Sequence, residues 1–156
     1  MITSIGKRIY ATVFGTTGQT ALSDMKRCDG TVTSINVSSN FVGQMYQSPG
    51  YSAGGQAAMI VGSGDTEEQE SDYCLESIIT SISRGAIALT RTETSLVYTQ
   101  TFSNGTGADM DINEVGIVCG RGSGVNDSFL AIRNVLEQTI TLAHGESVTL
   151  SVEVNF

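Results

Sequence analysis

The last stretch of the chain constrains the fold most. Val148, Leu150, Val152, Val154 and Phe156 alternate with Thr149, Ser151, Glu153 and Asn155. Successive side chains of a strand point to opposite faces, so this pattern writes a strand with one buried and one wet face. His144-Gly145-Glu146 stands before it as a turn, and Ile140 and Leu142 end the preceding strand. The same reading predicts strands over residues 7–14, 31–37, 41–46, 57–61, 86–90, 95–102, 110–118 and 128–136. Turn signals separate them, among them Gly15-Thr16-Thr17-Gly18, Ser48-Pro49-Gly50 and Ser103-Asn104-Gly105. Eighteen glycines and a single proline suit many short turns better than rigid linkers. Nine or ten short strands in 156 residues point to an all-β fold, an antiparallel β-sandwich or jelly roll. The one helix candidate is 72–81, weakened by β-branched Ile78, Ile79 and Thr80.

A chain of this length buries enough surface to hold a core without disulfides or metals. Only 15% of its residues are charged, so its polar surface must come from Ser, Thr, Asn and Gly. Eight basic residues stand against 16 acidic ones, for a net charge of −8. Nucleic-acid binding needs Lys and Arg to neutralise phosphates, so nucleic acid is rejected as a partner, and anionic membranes by the same reasoning. Cys28, Cys74 and Cys119 are widely spaced and in no CxxC pair, which predicts three unpaired thiols in a chain made in a cytoplasm. The start, Met1-Ile2-Thr3-Ser4-Ile5-Gly6-Lys7-Arg8, has no long apolar run, so neither a signal peptide nor a membrane anchor is expected.

Chemistry is sparse. Nucleophilic catalysis leans on a histidine base, and the one histidine, His144, falls in a predicted turn. A glycosidase needs two carboxylates, but such clefts are lined with aromatics, and Trp is absent. Asp109-Met110-Asp111-Ile112-Asn113 imitates the opening of a calcium loop. Glu114 then occupies the position that needs glycine, and Gly120 the position of the bidentate glutamate, so the stretch reads better as a strand. No enzyme activity and no cofactor are expected. Asn36, Asn104 and Asn126 match the glycosylation pattern by chance.

Two charge features stand out. Residues 62–76 carry Asp65, Glu67, Glu68, Glu70, Asp72 and Glu76 with no basic residue, whereas 1–50 hold Lys7, Arg8, Lys26 and Arg27. Two readings are open: a solvated acidic loop, or a clasp in which the acidic loop meets the basic segment of a neighbouring subunit. Glu114 and Arg133 lie at otherwise apolar levels of adjacent predicted strands. They are either a cross-strand ion pair or two independent solvent-facing charges.

From Val61 to the end, the order of features resembles small structural proteins of tailed bacteriophage particles. A Gly-rich turn and polar stretch leads into Asp72-Tyr73-Cys74-Leu75. There follow Phe102-Ser103-Asn104-Gly105, then Ile112-Asn113-Glu114-Val115-Gly116-Ile117, then an Arg-bearing strand, Leu130-Ala131-Ile132-Arg133-Asn134-Val135-Leu136. A Gly-turn hairpin and an apolar-ended strand close the chain. Residues 1–60 lie outside the match and, with the basic excess of 1–50, read as an N-terminal β segment, either within the same domain or a docking arm extending from it; the resemblance itself implies a jelly-roll-like domain over 61–156. It implies a virion protein made in the host cytoplasm, most simply capsid decoration that cements the particle. Its partners would be copies of itself, as a trimer, and the major capsid protein. The alternative is a tail, collar or fibre component that binds a receptor or carbohydrate, with Tyr46 and Tyr51 beside Ser48-Pro49-Gly50 as candidate contacts.

Overall fold

In the computed structural model of this chain, residues 1–3, 6–7, 21–36, 57–120 and 125–155 are described. They form nine strands: β1 (Ala21–Lys26), β2 (Val32–Asn36), β3 (Ala58–Gly62), β4 (Ser83–Arg84), β5 (Ala88–Arg91), β6 (Ser95–Ser103), β7 (Met110–Cys119), β8 (Phe129–Leu142) and β9 (Ser147–Asn155). All pairings among them are antiparallel. One sheet runs β3-β7-β8. In the other, β6 is flanked by β9 along one edge, and by β5 and β4 in tandem along the opposite edge. β1 and β2 make a separate ribbon. The protein is thus all-β, with its sheets stacked around a shared core as in a β-sandwich.

That core takes Met59, Val61, Ile112, Val115, Ile117 and Phe129 from the first sheet, and Leu96, Tyr98, Phe102 and Val152 from the second. Alternation explains β6 and β9. The unbroken apolar run of β3 has another cause, for all five of its residues are buried. Met59 and Val61 face the second sheet, while Ala58 and Ile60 join Leu75, Val118 and Leu130 in a smaller cluster on the outer face. The first sheet is therefore covered on both sides, and a strand buried on both faces needs no alternation.

β1 does not alternate in sequence because it carries a bulge. The register shifts between Leu22 and Met25, with Asp24 in the left-handed region at φ 56°, so both apolar residues reach the core. The start of the chain is stitched to β8. Ile2 bridges Ile132, the Arg133 N–H donates to the Met1 carbonyl (3.0 Å), and the Thr3 N–H donates to the Ala131 carbonyl (3.1 Å). Residues 1–3 thus extend the first sheet beyond β8, and Thr3 is buried.

Several expectations need correction. Residues 72–81 are not helical, because their backbone groups are engaged with the first sheet instead: Ile79 N–H donates to the Val61 carbonyl (2.9 Å), and Ser63 N–H to the Ser77 carbonyl (2.9 Å). The chain does not close on a hairpin. β9 pairs with β6 rather than with β8, so the turn at Gly145 (φ 84°) is a corner between sheets. Lys7 lies in a helical turn rather than opening a strand. The rest of the strand expected over 7–14, the whole of that over 41–46, Arg8, Tyr46 and Tyr51 lie outside the described residues.

Candidate functional site

The most elaborate polar assembly among the described residues lies on the outer face of the β3-β7-β8 sheet. Its centre is Arg133, on β8 opposite Gly116 of β7. Two register shifts aim its parts. The irregularity between Ile112 and Glu114 breaks the inward sequence Met110, Ile112, so Glu114 turns outward while Val115 takes the inward place. A second shift, between Ile117 and Val118, lets Ala131 and Ile132 both join the inner core and sends Arg133 to the outer face.

There Arg133 Nε donates to Glu114 Oε2 at 2.8 Å and Nη1 to Asp72 Oδ2 at 2.8 Å. Nη2 donates to the Thr66 carbonyl at 3.1 Å, with Glu76 Oε2 at 3.8 Å. The pair is deeply buried, with side-chain exposures of 3% for Arg133 and 0% for Glu114. The Glu114 carboxylate also accepts backbone N–H bonds from Gly64 (3.2 Å), Glu76 (3.1 Å) and Ser77 (2.9 Å). A buried charge is tolerable only when paired and hydrogen-bonded, and here every guanidinium nitrogen and both Glu114 carboxylate oxygens have a partner. Burial by itself pushes the Arg133 guanidinium toward losing its proton. The bonds and charges of Asp72 and Glu114 more than offset this, and its pKa stands above the ordinary arginine value. Glu76 is partly exposed, and the Thr66 hydroxyl and N–H (2.7 and 3.1 Å) hold its carboxyl below the usual range.

The cluster straps residues 63–78 across the sheet. Close approach is possible because glycine occupies the crossing points: a Cβ on Gly62 would lie 2.4 Å from Glu114 Oε1 and 2.6 Å from the Ser77 carbonyl oxygen. Leu75 seals the strap on the apolar side against Gly116 and Leu130. A covalent tie completes it. Cys28 and Cys74 form a disulfide, with Cα atoms 4.6 Å apart. The expectation of three free thiols fails at these two, because the fold brings the β1–β2 turn onto the strap, and α-carbons at that spacing can be bridged. Asp29 shapes the turn by accepting from the Thr31 hydroxyl (2.7 Å) and N–H (2.8 Å), bonds that lower its pKa. Cys119 is free and buried, its thiol pushed up to about 12 by desolvation.

The structure brings the expected residues together only in part. Glu114 and Arg133 are in contact. Lys7 pairs with Glu70, and Glu68 lies 4.0 Å from the Met1 amine, all within one chain. Lys26 and Arg27 go elsewhere: Lys26 stacks over the Tyr73 ring at 3.6 Å, and Arg27 reaches Asp127 at 3.3 Å. Glu67 is exposed. The acidic stretch is therefore not uniformly extended and wet, since Asp72 and Glu76 turn inward to an arginine about sixty residues away. Sequence reasoning placed Asp72 and Glu76 in the acidic stretch without their arginine, and missed Thr66 and the disulfide. The available signals were the glycines at 62, 64 and 116 and the lone arginine in an apolar strand.

A cleft of about 550 Å³ opens beside the strap, lined by Cys28, Tyr73, Cys74, Glu76 and Arg133 among others. The cleft holds no histidine, and its arginine is engaged by carboxylates. His144 accepts from the Gly107 N–H at 3.0 Å in the corner before β9. Asn104 is buried with its amide fully used by Ala108, Leu142 and Thr106, which organises the turn at 104–107 and removes it as a glycan acceptor. Among the described residues no group of His, Cys, Asp or Glu is placed to hold a metal ion, and no helix is long and apolar enough to cross a membrane. No protein-family model, no curated protein and no solved structure matches the chain.

Proposed function

We propose that this chain is a non-enzymatic structural protein of a tailed-bacteriophage particle, a jelly-roll-like capsid decoration protein that cements the shell. The observation that carries the reading is where the resembling segments meet. Asp72-Tyr73-Cys74-Leu75, the strand around Glu114 and the strand around Arg133 each contribute one member of the buried cluster, at 2.8 Å on both sides of the arginine. Their shared residues are thus used to hold a strap on a sheet, a mechanical task. An ionic cluster, a disulfide and an apolar seal acting together resist local opening, which suits a protein that must keep its shape on a particle. Assembly with copies of itself and attachment to the major capsid protein complete the proposal.

The test is to image particles made with and without this gene by cryo-electron microscopy and to challenge both with heat. Extra density on the capsid lattice and earlier rupture of the deficient particles are expected. Density on the tail or collar instead would replace decoration by the receptor-binding reading, and absence from the particle would end both.

A further inference from the structure

Strand β9 is the outermost strand of its sheet. Its nine residues pair with β6 in unbroken register, from Ser147 opposite Ser103 to Asn155 opposite Ser95. Among the described residues nothing pairs with its other edge. Such an edge offers free N–H and C=O groups to any further strand, and soluble proteins ordinarily blunt it with a proline, a bulge, a lysine or a very short strand. β9 has none of these, and Glu153 is its sole charge.

Its two rows of side chains fit an added strand. Outward, hydroxyl pairs bind β9 to β6 in a ladder: Thr99 with Ser151 (3.0 Å), Thr101 with Thr149 (2.8 Å) and Ser103 with Ser147 (2.6 Å). Inward, Val148, Leu150 and Val154 pack against the core but remain only partly covered.

We infer that β9 pairs antiparallel with β9 of a second copy about a two-fold axis at Ser151, joining two sheets into one. The strand is self-complementary in that register. Leu150 falls opposite Val152 of the second copy, Val148 opposite Val154, Thr149 opposite Glu153, and Ser147 opposite Asn155. Apolar meets apolar along the whole length, and no carboxylate faces another. Charge favours the same partner. The densest acidic run of a chain of net charge −8, residues 65–76, lies on the strap over the other sheet, and β9 itself carries only Glu153. This contact stands on the edge geometry, independently of any role on a particle.

The test is cross-linking in the full-length chain. With the axis at Ser151, Cα atoms of facing residues lie about 4.5–5.5 Å apart, within disulfide reach. Mild oxidation should convert Ser151→Cys to a covalent dimer on a non-reducing gel. Thr101→Cys, on the same face but one strand inward, sits roughly 20 Å from its counterpart, three strand spacings across and about four residues along, and should stay monomeric. Native Cys119 is buried and Cys28 is bonded to Cys74, so neither competes. In sedimentation, the parent dimer should revert to monomer in Thr149→Lys/Ser151→Lys, with its circular dichroism and melting temperature nearly unchanged. Equal cross-linking through Thr101→Cys would mean face-to-face stacking and overturn the pairing. So would failure of Ser151→Cys to cross-link, or a parent chain that stays monomeric at high concentration.

Discussion

Arg133 is the residue on which the outer face depends. Removing one partner of a buried ion pair leaves the other charge without compensation, at a cost of about 3–5 kcal/mol. Arg133→Met should therefore lower the unfolding free energy by about that much in urea titration, because Glu114 stays at 0% exposure without its partner. The double variant Arg133→Met/Glu114→Leu should recover part of the loss, and the coupling measures the pair. Gly62→Ala tests the crossing point. The added methyl meets the Ser77 carbonyl oxygen, a backbone atom that cannot swing aside, so a loss of about 1–3 kcal/mol is expected. That Glu114 and Arg133 could pair across strands was legible in the sequence, beside the alternative of two separate solvent-facing charges. That Asp72 and Glu76 are also partners was not, since neither lies near Arg133 along the chain.

At the scale of elements, the strap over 63–78 is held by chemistry that can be switched off. The Cys28–Cys74 bond spans 46 residues, and closing a loop of that size restricts the unfolded chain by about 4 kcal/mol. Cys74→Ser should cost up to that amount, read by chemical denaturation. Thiol titration of the denatured, non-reduced chain should count one, from Cys119, and three after reduction. Acid acts on the ionic part. Glu76 and Asp29 have folded pKa values below their unfolded ones, so each contributes stability that is complete above about pH 5. That contribution is lost as pH falls through the lowered folded values, because the unfolded chain takes up protons first. Melting temperature should hold from neutral pH to about 5 and fall below about 4, and Glu76→Gln should flatten that acid limb.

At the scale of the whole molecule, the charges that looked most functional carry little of the fold. Lys7 and Glu70 are more than half exposed, and an exposed pair contributes at most about 1 kcal/mol. Replacing Glu67, Glu68 and Glu70 together by Gln should move the melting temperature by only a few degrees, far less than Arg133→Met. Because the Lys7–Glu70 pair closes within one chain, the triple variant should also self-associate at low salt at least as well as the parent. Weaker association, measured by sedimentation, would revive the clasp between subunits.

What the sequence determined by itself was the local, periodic part. Alternation marked β9, β6 and the inward row of β7, and turn chemistry placed the breaks at 103–105 and 144–146, because strand and turn preferences are written in residues that are near neighbours. Tertiary structure decided the rest. Two bulges in the β7–β8 pairing set which face Glu114 and Arg133 occupy, a third in β1 hid a strand from the period, and sheet switching after β8 turned an expected hairpin into a corner. The fold also chose the partner of Cys28 and turned an acidic run into a strap. Each of these depends on a contact made across tens of residues, where register and the free energy of burial, rather than sequence spacing, select which groups meet.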